Sequence, residues 1–205
     1  QYDQKWASFI QLIINQLNTA IEIAKKQEIE FTLAHKSGLD KYAKKIEEYK
    51  MLIDKGAEEP EFQNFFEQNL TFLDPKVKNA FSKKSFGGEG FPDFLLTLHD
   101  SSYLLVEIEK PRFRLFTKEG DPTSELSHAQ RQIMDYLRWA NEEKEFLRKR
   151  GCPNISADNT KGLVVIGVSS NLTDDESRKL EGINATVRSR YEIKTFDKIL
   201  EENEG

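Results

Sequence analysis

The segment 91–110 most strongly restricts the folds open to this chain, because it predicts a β-hairpin whose end is acidic. Two apolar, strand-like runs are separated by the turn-forming residues 99–102. Asp93 lies near the start of the first strand, and Glu107 lies near the end of the second. Antiparallel pairing brings those two ends together, so we expect both carboxylates at one end of the hairpin.

A third acid lies beside this pair. Glu109 comes two residues after Glu107 and shares its face, because side chains alternate along a strand. A buried carboxylate is costly without a partner, and a hard divalent cation bound by oxygen ligands is one such partner. The simpler alternative is a hairpin whose end carries solvated charges.

Composition limits the class of protein. A chain of 205 residues suits one core-bearing domain with an appendage, and its net charge of −5 argues against a general coat for nucleic acid. Local basic patches can still contact phosphate. The lone Cys152 excludes an internal disulfide and fits the cytoplasm. No apolar run approaches the length of a membrane span, so no membrane contact is expected.

The first 56 residues are predicted to form a helical extension that serves in assembly. Apolar residues recur at helical spacing over 3–34 and 39–53, and Ser37 and Gly38 are expected to separate two helices. Such an extension predicts a homo-oligomer.

Residues 57–205 are predicted to form one α/β domain. The signals run in the order α, β, β, β, α, β, α, β, which predicts a mixed sheet with a parallel strand–helix–strand crossover. Outside the hairpin, helices are predicted over 58–73, 124–150, 171–186 and 197–202, and strands over 81–86, 162–168 and 191–196.

The acidic hairpin resembles the PD-(D/E)xK nuclease superfamily, whose pattern is matched by Pro92-Asp93, a spacer and then Glu107. In that pattern a lysine follows the second acid by two residues. This chain has Glu109 there, and Lys110 comes one residue later. The resemblance implies a restriction-endonuclease-like mixed β-sheet flanked by helices.

A longer ordered set of motifs resembles the nuclease domain of the Shedu family of bacterial anti-phage defence proteins. The motifs are Glu59-x-Glu61-Phe-Gln-x-Phe-Phe-Glu67-x-Asn69, the acidic hairpin, Lys110-Pro111, Leu115-Phe116-Thr117 and Ser124-Glu-Leu…Ala129-x-x-Gln132-x-x-x-Tyr136. The resemblance covers residues 58–200 and implies a DNA endonuclease that requires Mg²⁺ or Mn²⁺. It also fits a cytoplasmic protein that associates with itself.

The resemblance further implies roles for individual residues. The implied catalytic residues are Asp93, Glu107, Glu109, Lys110 and Gln132. The implied metal ligands are Asp93, Glu107, the Ile108 carbonyl and Glu61, with Glu59 as the less favoured helix acid. Tyr136 and His128 would support the site from the helix that carries Gln132. The alternatives without a role in catalysis are that Glu61 stabilises the N-terminus of its helix and that Gln132 faces solvent.

The expected partner is double-stranded DNA with little sequence specificity, because no zinc finger or helix-turn-helix is recognisable and phosphate contacts should dominate. The candidate contact residues are Arg112, Arg114, Lys83 and Lys84. The alternative function is a catalytically weak module that binds nucleic acid or DNA ends, with Glu109 marking a degraded site. A pure oligomerisation protein would leave the ordered acids, glutamine and tyrosine unexplained.

Overall fold

The computed structural model describes the backbone of residues 2–86 and 90–204, and within those ranges the side chains except 2–14, 33–34 and 84. The chain divides into two compact units, with the boundary between Lys45 and Ile46.

The described helices are α1 (Tyr2–Asp54), α2 (Glu59–Gln68), α3 (Lys83–Phe86), α4 (Ser124–Glu142), α5 (Lys144–Lys149), α6 (Asp174–Val187) and α7 (Phe196–Glu204). The strands are β1 (Val77–Ser82), β2 (Phe94–Leu98), β3 (Tyr103–Ile108), β4 (Thr160–Val165) and β5 (Tyr191–Lys194). Short 3-10 helices cover Leu70–Phe72 and Ser169–Asn171.

The strands form a single mixed sheet in the order β1-β2-β3-β4-β5. β1, β2 and β3 pair in antiparallel fashion, whereas β3, β4 and β5 pair in parallel. The predicted α/β fold class, with a mixed sheet flanked by helices and an N-terminal helical stretch, is therefore confirmed. The predicted hairpin is also confirmed, and Ser101 adopts a positive φ of 66° in its turn.

The break predicted at Ser37 and Gly38 is wrong, because α1 continues through both residues. A glycine inside a helix costs about 1 kcal/mol relative to alanine, which good helix formers on either side can offset. In the first unit, exposed apolar side chains include Leu17, Ile21 and Phe31. None of the described helices, α1 included, is long and apolar enough to cross a membrane.

Other element boundaries also differ from the prediction, most clearly at the ends of β1 and α4. The strand predicted over 81–86 ends at Ser82, and the next residues form α3. The helix predicted over 124–150 ends at Glu142, and α5 begins two residues later. This change of direction accompanies the burial of Leu147, which joins the core below α4.

Each face of the sheet carries its own apolar core. One core joins Leu95, Leu105 and Val164 to α4, and α6 packs against it. The other core lies on the opposite face, where side chains of β2, β3 and β4 meet phenylalanines of α2 and α7. The acidic end of the hairpin thus lies between a helix on one face, α4, and a helix on the other, α2.

Gly162 in β4 allows α4 to approach the sheet closely. A Cβ at this position would lie 2.4 Å from Ile133 Cγ1 and 2.9 Å from Tyr191 Cβ, closer than real carbon atoms pack. Ile133 neighbours Gln132, so this contact also sets the height of the candidate site residue above the sheet.

We predict that Gly162→Ala lowers the free energy of unfolding by roughly 1–3 kcal/mol, because the methyl group overpacks the contact between α4 and β4. Urea unfolding followed by circular dichroism measures this change. Gly182→Ala is the matched control. Gly182 lies within α6 with nothing within 4 Å of an added Cβ, so the methyl should stabilise the helix by roughly 0.5–1 kcal/mol. Equal stability of the two variants would contradict the close packing of α4.

Candidate functional site

Asp93 and Glu107 occupy facing positions at one end of the hairpin. The last pair in the β2–β3 ladder is Phe94 with Val106, so the next pair outward is Asp93 with Glu107. Residues that face each other in antiparallel strands place their Cβ atoms roughly 4.5–5.5 Å apart on the same side of the sheet. Both acids are buried, with 4% and 5% of their surfaces exposed. The structure thus brings together the two carboxylates that the hairpin pattern selected.

Hydrogen bonds from two elements orient the Asp93 carboxylate. Its Oδ2 accepts from the backbone N–H of Ile108 at 2.8 Å, and its Oδ1 accepts from Gln63 Nε2 at 2.8 Å. The same Gln63 nitrogen donates to Glu59 Oε1 at 3.0 Å. Lys83 Nζ lies 3.8 Å from Asp93 Oδ1.

The prediction from sequence missed Gln63. A signal was present, because Glu59 and Gln63 are four residues apart and therefore share one face of α2. That spacing places the carboxylate of Glu59 and the amide of Gln63 in one row along α2. Without the tertiary packing of α2 against β3, nothing in the row points to Asp93.

Gln132 holds Glu107 from α4. Its Nε2 donates to Glu107 Oε1 at 3.0 Å, as expected if this glutamine faces the acids rather than solvent. Two buried oxygens in this contact, Glu107 Oε2 and Gln132 Oε1, have no hydrogen-bond partner among the described residues. Both atoms are acceptors, so a cation or a proton is the complement that they lack.

The environment raises the pKa of all three hairpin acids. Burial, followed by the charge of Asp93, raises the pKa of Glu107 well above its usual range. Burial also raises the pKa of Asp93, although the Ile108 N–H and the Lys83 charge oppose this change. Burial and the nearby Glu59 raise the pKa of Glu109 to about 7.

Tyr136 lies next to Glu107 on the same helix as Gln132. Burial and the charge of Glu107 raise the pKa of its hydroxyl far above the usual value, so the phenol stays protonated. His128 occupies the same helix, but its side chain is exposed. The structure therefore brings Gln132 and Tyr136 to the acids and leaves His128 at the surface.

Glu59, rather than Glu61, is the acid that α2 presents to the hairpin. Glu61 is exposed, pairs with Lys55 and accepts from the Glu58 backbone N–H at 3.1 Å. The charge of Glu59 instead raises the pKa of Asp93, Glu107 and Glu109. Residues two apart in a helix point to different sides, which explains why only one of these glutamates meets the site.

The predicted basic residues are distributed over several places. Lys110 Nζ lies 3.5 Å from Glu58 Oε2, and the guanidinium of Arg112 pairs with the same carboxylate. Arg114 is exposed, and its charge helps to lower the pKa of Glu176. The side chain of Lys84 lies outside the described residues. Lys110 is thus held at the start of α2 and does not take the position of the missing lysine.

The oxygen donors at the acidic end of the hairpin suit a divalent cation that keeps part of its water shell. No three His, Cys, Asp or Glu side chains among those described already form a complete metal site. Mg²⁺ nevertheless commonly uses only one or two carboxylates and keeps several waters. Asp93 and Glu107, with the unpartnered oxygens of Glu107 and Gln132, fit that requirement.

We predict that the protein without metal becomes less stable as the pH rises. Burial raises the pKa of Glu107 in the folded state, so between about pH 5 and about pH 9 the folded protein binds more protons than the unfolded chain. The free energy of unfolding should therefore fall over this window, by at least about 1.4 kcal/mol, the equivalent of one pKa unit. Denaturant unfolding in a metal chelator at several pH values measures the slope.

Glu107→Gln should flatten this slope, because the neutral amide keeps the shape of the side chain and removes its titration. Glu61→Gln is the matched control. Glu61 is exposed and its pKa is lowered, so the slope should stay as in the unsubstituted protein. A Glu107→Gln protein with an unchanged slope would show that Glu107 is ionised throughout the window.

The comparison with known families agrees with this geometry. The family described as Shedu protein SduA, C-terminal, matches residues 56–200. This segment contains the complete sheet, both acidic strand ends and the helices α2 and α4 that contact them. No match was found among curated proteins. The chain therefore belongs to the Shedu protein SduA C-terminal family, and this membership implies a role in anti-phage defence.

Proposed function

We propose that the domain is a metal-dependent DNA endonuclease of the PD-(D/E)xK type that acts in anti-phage defence. One observation carries the proposal: two facing carboxylates are buried together, and within the described part of the chain Glu107 Oε2 has no hydrogen-bond partner. Burying two like charges side by side destabilises a metal-free fold, and a bound cation removes that cost.

Asp93 and Glu107 would hold Mg²⁺ or Mn²⁺, and the Ile108 carbonyl and Glu59 are further oxygen donors at this end of the hairpin. The ion would supply an activated water and would neutralise charge on the phosphate as it is attacked. The protein's own contribution is orientation. Gln63 and the Ile108 N–H hold Asp93, while Gln132 holds Glu107, so that both carboxylates present fixed lone pairs.

Glu109 suits proton transfer. In the protein without metal, its pKa of about 7 lies near neutral pH, where a general base works best. In this proposal the Glu109 carboxylate takes a proton from the attacking water, and no lysine is needed at that position.

DNA contact would come from basic residues that lie close to the acidic hairpin in the sequence. Arg114 is exposed and free of a close ion pair among the described residues, and the predicted contacts also include Lys84 and Arg112. Arg112 would have to leave Glu58 to bind a phosphate. Such phosphate contacts carry no sequence information, so we propose duplex DNA with little sequence preference as the substrate.

A DNA-binding module without cleavage is the second candidate. The observation that favours it is Glu109 in the place where the superfamily pattern has lysine. The two candidates differ in one measurable respect. Both shift DNA in a gel, but only the nuclease converts supercoiled plasmid to nicked or linear forms when Mg²⁺ is added.

We predict that Glu107→Ala abolishes plasmid cleavage, with a loss of at least roughly 10²–10³ in rate, because the group that holds the cation is removed. DNA binding should persist, since phosphate affinity depends on lysines and arginines elsewhere. Cleavage of plasmid in Mg²⁺, a gel shift in chelator and thermal melting measure the three properties.

Glu61→Ala is the control for this substitution, because the structure places Glu61 at the surface with Lys55. Its cleavage rate should match that of the unsubstituted protein. Cleavage by Glu107→Ala at the unsubstituted rate would contradict the nuclease proposal, and DNA binding without any cleavage by the unsubstituted protein would favour the second candidate.

We further propose that α1 joins copies of this chain. Leu17, Ile21 and Phe31 recur at helical spacing and are 57%, 50% and 74% exposed. Their row is continued by Ala24, and facing rows of this kind bury each other in helix pairs.

We predict that the double variant Ile21→Lys with Phe31→Lys lowers the oligomeric mass, because two charges would enter the shared apolar row. Light scattering after size-exclusion chromatography measures the mass. Ile23→Lys is the matched control, since Ile23 is equally exposed at 54% but points to another side of α1. An identical mass for all three proteins would refute assembly through this row.

A further inference from the structure

We infer that Lys83 supplies the positive side chain of the acidic site, in place of a lysine at position 109. The inference rests on the proposed endonuclease function and names a further residue of its site. The sequence pattern assigned Lys83 only to general DNA contact, whereas the structure turns its side chain toward Asp93.

The backbone fixes Lys83 beside the acids. Its N–H donates to the Asp93 carbonyl at 2.9 Å, which extends the β1–β2 ladder one step beyond the Ser82 pair with Phe94. Lys83 and Asp93 are therefore held together by main-chain pairing rather than by their charges alone. This pairing fixes the position of the Lys83 backbone, so a substitution of the side chain need not move the backbone.

The side chain reaches the acids from the solvent side. The side chain of Lys83 is 35% exposed and that of Asp93 is 3% exposed, so the ammonium covers a carboxylate that lies deeper. The separation of 3.8 Å is longer than a hydrogen bond, and Lys83 Nζ makes no hydrogen bond within the described residues. Its N–H donors are thus available to a ligand that arrives from outside.

An anionic substrate needs such a cation. Glu59, Asp93, Glu107 and Glu109 interact electrostatically in one cluster, so a phosphodiester that approaches them is repelled. A lysine beside the reacting phosphate stabilises the charge that develops during its transfer. The Lys83 charge acts on both Asp93 and Glu107, which places it within reach of the site that would hold the phosphate.

The neighbouring cations are engaged elsewhere. Lys110 and Arg112 share the Glu58 carboxylate at the start of α2. Arg150 donates to the Ser85 carbonyl of α3 at 2.5 Å and lies over the Phe146 ring of α5. Among the described ion pairs, Lys83 is the one that reaches Asp93.

The test compares Lys83→Met and Lys83→Arg with Lys78→Met in the full-length protein. Lys78 lies on the same strand but is exposed and distant from the acids in the β1–β2 ladder, so it controls for the loss of one lysine from β1. Plasmid cleavage in Mg²⁺, Mg²⁺ affinity by calorimetry and DNA binding by gel shift in chelator are measured for each protein.

We expect Lys83→Met to lose roughly 10²–10³ in cleavage rate. Its Mg²⁺ affinity should stay the same or tighten by up to roughly fivefold, because a positive charge close to the cation has been removed. Lys83→Arg should cleave at least about tenfold faster than Lys83→Met, since it keeps the charge. Lys78→Met should cleave like the unsubstituted protein.

Cleavage by Lys83→Met at the unsubstituted rate would overturn the inference and leave the proposed nuclease intact. A loss of Mg²⁺ affinity that matches the loss of cleavage would also overturn it, because Lys83 would then act through metal binding. An equal loss of cleavage rate in Lys83→Arg and Lys83→Met would overturn it as well, because the positive charge would then not be what matters. Absence of cleavage by the unsubstituted protein would instead contradict the proposed function on which the inference rests.

Discussion

The structure of this domain depends on the pairing that sets Asp93 opposite Glu107 at the end of β2 and β3. A shift of one residue in that register would move one acid to the opposite face, where apolar side chains of α2 and α7 form the other core. The alternating apolar residues of the hairpin prevent such a shift, because each has a place in one of two cores. The same packing that stabilises the sheet therefore buries two carboxylates together. Burial raises the pKa of both groups, and the charge of Asp93 adds to the rise at Glu107.

Two helices on opposite faces complete this arrangement, and each contributes one glutamine. Gln63 on α2 donates to Asp93, and Gln132 on α4 donates to Glu107. Each amide leaves the carboxylate charge in place while it fixes the direction of the lone pairs. The height of α4 above the sheet is set by Gly162, so a backbone feature of the core has a direct effect on the candidate site. The contact between α4 and β4 therefore affects both the stability of the fold and the position of Gln132 in the candidate site.

Much of the fold could be predicted from the sequence, because hydrophobic periodicity and turn chemistry are local signals. The hairpin and the order of elements were predicted from such signals, and the structure contains both. The site could be predicted only in part. Which side of α2 meets the hairpin is decided by tertiary packing. The family resemblance implied Glu61 as a ligand, whereas the structure presents Glu59 and Gln63. The direction of Lys83 depends on main-chain pairing with Asp93, which no local pattern records.

The central claim is that Asp93 and Glu107 form a prepared site for a divalent cation. The most direct measurement is a crystal structure of the protein grown with Mn²⁺, with anomalous scattering used to locate the ion. The account predicts a single strong anomalous peak within about 2.3 Å of an oxygen of each carboxylate. Well-ordered side chains with no anomalous peak between Asp93 and Glu107 at saturating Mn²⁺ would contradict it.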